Sequence, residues 1–93
     1  MTRRRVYLAP RAEADLDHIA LWIGERGAPL TALDYVTRIR GFLSRLDQFP
    51  ERGTDYGWFR RGLRILNFEG RVVIAIVVRS EQVEVERIFT GGQ

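Results

Sequence analysis

A chain of 93 residues sets one domain with a modest core as the expectation. With 45% hydrophobic and 29% charged residues it has the make-up of an ordinary globular protein, and its longest apolar run, Val72–Val78, is far short of the roughly 20 residues that span a bilayer as a helix. It has no cysteine, which excludes disulfides, thiolate metal sites and cysteine nucleophiles, and its single histidine, His18, argues against a zinc site or a histidine-based triad, so neither a metal nor a cofactor is expected.

The formal net charge is +3, and all 15 basic residues are arginine. Arginine stays charged at any accessible pH and grips phosphate or carboxylate through a planar fork. Codon bias in a GC-rich genome explains an absence of lysine; so does a surface made for an anionic partner. So small a net charge does not choose between them. The opening "MTRRRVYL" is basic but leads into no apolar signal core. No export signal and no membrane anchor are therefore expected, and a cytoplasmic location is the expectation.

Residues 5–8, "RVYL", read as a first strand. Pro10 fits the first turn of a helix, where a missing N–H costs nothing, and Glu13 and Asp15 sit where the helix dipole favours negative charge. Ala12, Leu16, Ile19, Ala20 and Ile23 recur at helical spacing and predict a helix over Pro10–Glu25. "RGAP" stops that helix and starts the next, predicted over residues 29–48. Its apolar face holds Ala32, Tyr35, Val36, Ile39, Phe42, Leu43 and Leu46. So short a link makes a helical hairpin.

Residues 49–62 form the one long connection, punctuated by Gly53, Gly57 and Gly62 and carrying Tyr56, Trp58 and Phe59. Three strand-like runs follow. The first covers Leu63–Phe68, and the second, residues 71–79, is apolar inside as for a central strand covered on both faces. The third, residues 82–89, alternates Val83, Val85, Arg87 and Phe89 against Glu84, Glu86 and Ile88. The order β-α-α-β-β-β predicts an α+β fold, a helical hairpin packed on an antiparallel sheet.

The candidate functional residues are arginines and exposed aromatics. Arg60, Arg61 and Arg64 lead into the second strand, Arg71 opens the third and Arg87 lies on the fourth, so strand pairing predicts Arg64, Arg71 and Arg87 as neighbours. Their plain reading is solvated strand-end charge that guards an apolar strand. Glu13, Asp15 and Asp17 read as dipole partners and surface charge. Leu21 and Trp22 fall off the core stripe, and with Tyr56, Trp58 and Phe59 they offer a patch for a partner chain.

The stretch "YLAPRAEADLDHIALWI" resembles the opening of ParE-type toxins of the RelE/ParE superfamily, through Pro10, Ala12, Ala14, Asp15, Leu16 and Ile19. The exit Phe49-Pro50, the arginine-rich entry to the second strand and "VEVERIF" as the last strand match the same family. The resemblance implies the toxin of a bacterial type II toxin–antitoxin pair that inhibits DNA gyrase by binding, without chemistry of its own. It also implies a ParD-like antitoxin with a ribbon-helix-helix head and a tail that wraps the toxin. The RelE-type branch, which cuts messenger RNA on the ribosome, is the alternative. There Arg64 and Arg71 match two of the family's basic positions, with Arg87 beside them. The final "TGGQ" lacks that branch's arginine and tyrosine, and an always-charged arginine is a poor base. Direct nucleic-acid binding is expected only in that alternative; a third reading is a non-toxic binding module. Target contacts are expected at Arg60, Arg61, Arg64, Arg71, Arg87 and Phe89, and antitoxin contacts at Leu21, Trp22, Tyr56 and Trp58.

Overall fold

The computed structural model describes residues 4–27 and 29–90. The expectations placed on the basic start, on Ala28 and on the last three residues lie outside them. The chain order is β1 (Arg5–Leu8), α1 (Pro10–Glu25), α2 (Pro29–Ser44), a 3-10 turn (Arg45–Asp47), β2 (Thr54–Asp55), β3 (Leu63–Phe68), β4 (Val72–Val78) and β5 (Gln82–Thr90). The α+β arrangement expected from the sequence is present.

α1 begins at Pro10 without a side-chain cap. The Ala9 carbonyl instead accepts from the N–H groups of Ala12 and Glu13. The helix ends where Gly27 takes φ +79, a left-handed conformation that glycine adopts without a Cβ clash, and donates to Gly24. α2 is shorter than the periodicity predicts. After Ser44 its last turn tightens to 3-10 geometry, the N–H groups of Gln48 and Phe49 both reach Arg45, and Pro50 ends the run.

The sheet runs β1-β5-β4-β3-β2. The β2–β3, β3–β4 and β4–β5 pairings are antiparallel, but β1 lies parallel to β5, Arg5 beside Gln82 through Leu8 beside Val85. The sheet is therefore mixed, with five strands. A parallel pair needs a long crossover, which the helical hairpin begins. The two-residue β2 was not visible in the sequence, because its glycine- and charge-rich surroundings read as loop.

One core joins the hairpin to one sheet face. Ala12, Leu16 and Ile19 of α1 and Ile39 and Leu43 of α2 meet Leu66, Phe68, Val72, Ile74, Ile76, Val83, Val85 and Ile88. Each fully buried aliphatic side chain contributes about 1.5–3 kcal/mol of transfer free energy. β4 is not covered by helices on both faces: Val72, Ile74 and Ile76 face the hairpin, while Val73 and Ala75 are half-buried on the other side.

The alternation expected for the last strand breaks once. Ile76 pairs with Val85 and Ala75 with Arg87, which leaves Glu86 as an extra residue, a β-bulge. The phase shifts by one beyond it, so Ile88 joins Val83 and Val85 in the core and Phe89 turns out to solvent.

Candidate functional site

Next to the bulge sits a carboxylate that accepts three hydrogen bonds. β1 stops at Leu8 beside Val85, so the rest of β5 loses its strand neighbour on that side. Asp15 of α1 fills the gap. Its carboxylate accepts from the Ile88 N–H at 2.8 Å and from Arg87 Nε and Nη2 at 2.8 and 3.1 Å. Burial works to raise the Asp15 pKa, but Arg87 and the Ile88 N–H outweigh it and hold the carboxyl below the usual range. Asp15 is thus a structural clamp, not the dipole partner or surface charge expected from its place early in a helix. Its distant partners gave it no local signature.

The sheet arginines take separate roles. Arg64, Arg71 and Arg87 do not converge. Arg64 pairs with Ile76, in a row that continues to the buried Val85, whereas Arg87 pairs with Ala75 from the far side of β4. Two strand spacings, about 10 Å, separate them. Arg64 is four-fifths covered and binds the long loop back: it donates to the carbonyls of Arg52 and Gly53 and lies 3.7 Å from Asp55. Arg60 forms a two-pronged pair with Glu86 at 2.6 and 2.8 Å, which ties the same loop to the bulge. Arg61 is exposed, and Arg71 follows the β3–β4 turn. The Arg87 guanidinium lies 4.5 Å over the ring of the half-exposed Phe89.

The candidate partner-binding residues fall into two groups at opposite ends of the sheet. Trp22 lines two concavities at the hairpin-tip end. One, about 570 Å³, lies between α1 and β5 and includes Asp15, His18, Leu21, Phe89 and Thr90. The other, about 720 Å³, lies between the hairpin and the β3–β4 turn and includes Tyr35, Arg38, Glu69 and Arg71. Arg26 stacks 3.8 Å from the Trp22 ring. Leu21, Leu30 and Leu33 are 62, 81 and 66% exposed along the hairpin, and of these only Leu21 was singled out from the sequence. The long loop instead packs its rings on one another: Tyr56–Trp58 and Trp58–Phe59 centroids stand 6.0 and 5.9 Å apart, with Trp58 81% exposed. Its Asp55 carboxylate accepts from the Gly57 N–H, an Asx-type turn that shapes the loop tip.

Among the described residues no group of three metal-ligating side chains comes together, and no helix is long and apolar enough to cross a membrane. The carboxylates nearest the sheet arginines are already engaged, Asp15 with Arg87 and Glu86 with Arg60. Comparison with known proteins adds the family. The profile described as "ParE toxin of type II toxin-antitoxin system, parDE" matches residues 6–93. The chain belongs to the ParE toxin family. No curated protein matches its sequence. Among solved structures, a chain of the "Chromosomal ParDE TA system from P. aeruginosa" superposes with a TM-score of 0.80 at 24% identity, over 95% of this chain and 96% of that one. At that identity the likeness speaks for the fold. The ParE fold is here built around the Asp15 clamp and the bulge at Glu86.

Proposed function

We propose that this chain is the toxin of a ParDE-like pair, that it acts in the cytoplasm as a single domain, and that it arrests growth by binding DNA gyrase. The observation that carries the reading is the family match over residues 6–93. The engagement of the nearby carboxylates, Asp15 with Arg87 and Glu86 with Arg60, supports binding rather than cleavage, because a nuclease needs a group free to take a proton. Target contacts then come from the exposed members, Arg60, Arg61, Arg71 and Phe89, whereas Arg64 and Arg87 hold the surface in shape. A ParD-like antitoxin with a ribbon-helix-helix head covers the hairpin-tip end, its tail seated on Leu21 and Trp22. The loop aromatics Tyr56 and Trp58 lie at the other end of the sheet.

Two measurements test this. Induced expression should stop growth, and the purified protein should block supercoiling by purified gyrase or trap cleaved DNA. Arrest with gyrase untouched and messages cut would overturn the target in favour of the ribosome. Trp22→Ala should keep toxicity but escape neutralisation by the antitoxin encoded beside it. Neutralisation at full strength would remove Trp22 from that interface.

A further inference from the structure

The β4–β5 turn end of the sheet gathers positive charge that the fold answers only in part. Arg4, Arg61 and Arg79 line one shallow concavity of about 580 Å³ together with Val78 and Ser80. They come from three distant points of the chain, and backbone contacts assemble them. Arg4 Nε donates to the Arg79 carbonyl at 2.8 Å, and the Val78 N–H donates to the carbonyl of Gly62, the neighbour of Arg61, at 2.8 Å. One carboxylate answers the three: Glu84, 3.3 Å from Arg79. On its other side Arg4 also lines a neighbouring recess with Arg5, Asp47, Glu81 and Gln82. Among the described residues neither Arg4 nor Arg61 forms an ion pair, whereas Arg38, Arg40, Arg60, Arg64 and Arg87 all do. Guanidinium groups held together with fewer carboxylates in ion pairs than cations repel one another and raise the local concentration of anions. Their forks fit phosphate oxygens, and the Ser80 hydroxyl adds a donor.

Aromatic residues flank this cluster in the chain. Phe59 precedes Arg61 by two residues, so their Cα atoms lie within about 7 Å. Trp58 and Phe59 are 81 and 71% exposed and meet edge to face, 5.9 Å between centroids. Exposed rings next to unpaired guanidinium groups form the combination that holds unpaired bases and the phosphates between them. We propose that this end of the protein binds single-stranded nucleic acid, with Arg4, Arg61 and Arg79 on backbone phosphates and Trp58 and Phe59 stacked on bases. An acidic peptide would satisfy the arginines but give the rings nothing to stack on, and duplex DNA hides its base faces.

The proposal does not rest on the gyrase reading, because its test needs only the purified full chain. A labelled mixed-sequence DNA strand of about 15 nucleotides is titrated by fluorescence anisotropy at several salt concentrations. The wild type should bind with a marked salt dependence. Arg61→Ala with Arg79→Ala should weaken binding about tenfold or more and flatten the log–log salt slope by roughly 0.7 for each lost phosphate contact. Trp58→Ala should weaken it by a factor between about 5 and 100. Arg38→Ala, at the other end of the sheet, should leave it unchanged. Arg61→Glu, a single exposed change, repeats the test should the double variant melt early. No binding at low salt, equal losses in the Arg38 variant, or equal affinity for the matching duplex or for labelled polyglutamate would each overturn the proposal.

Discussion

The two ends of the sheet use the same cation for different purposes. At the hairpin-tip end arginines are spent on the protein itself. Arg87 clamps Asp15, and Arg38 reaches both Asp34 and Glu69. Much of the charge there is cancelled, and what is left to a partner is largely surface in shaped concavities around Trp22, with Arg71 on one rim. At the β4–β5 turn end Arg4 and Arg61 have no such partners among the described residues, and the apolar surface is a knob of stacked rings, not a hollow. Residue type does not tell the two apart. The distant carboxylate does, and whether one arrives is decided by strand register and by where β1 stops.

The largest expected effect comes from removing the clamp. Asp15→Ala leaves the Ile88 N–H without its partner at a site only 12% exposed and also frees Arg87. The expected loss is about 2–3 kcal/mol, or roughly 10–20 °C in the melting midpoint for a domain of this size. The same carboxylate sets a pH dependence. Its folded pKa lies below the ordinary value, so its contribution is complete above about pH 4 and is lost as the pH falls through the depressed folded value. Acid titrations of stability should therefore diverge between wild type and Asp15→Ala at neutral pH and converge at the acid end. Curves that stay parallel throughout would show that Asp15 titrates as it does in the unfolded chain.

A second change tests the opposite end. Gly62 has φ +81, and a Cβ there would lie 2.6 Å from the Val78 carbonyl oxygen, so the backbone itself blocks any side chain. Gly62→Ala should cost about 1–3 kcal/mol in backbone strain, with the clash added. Because Gly62 docks the loop on the end of β4, amide exchange should quicken first around Arg61 and Val78 and leave the hairpin protected. Uniform loss of protection would mean that the two ends unfold as one unit.

Much of the fold was legible because it is written at short range. The stripes Ala12–Leu16–Ile19 and Ala32–Ile39–Leu43 repeat at helical spacing, and Pro10 and Pro29 mark both starts. The features that shape the site are written at long range. The bulge at Glu86 has no local sequence signal; it follows from pairing both with β4 and with the β1 edge, and it reverses which of Ile88 and Phe89 enters the core. Asp15 looks like any acidic residue near a helix start until β5, more than 70 residues on, brings it Arg87 and Ile88. Arg64 looked free for the same reason, since the carbonyls it binds belong to a loop with no regular pattern.

The smallest expected effects fall on exposed residues, and they separate binding from folding. Leu21→Ala removes a side chain 62% exposed, outside the core. Its effect on stability should stay within about 0.5 kcal/mol, because little apolar area returns to water. If Leu21 belongs to the antitoxin interface, the same truncation should slow no folding step yet weaken that complex severalfold, a cost of about 1 kcal/mol that only the bound state feels. Calorimetry of the free chain beside titration of the pair measures both at once. An equal loss in the two would make Leu21 a structural residue, and no loss in either would leave the hollow around Trp22 to its other rim, at Tyr35 and Arg71.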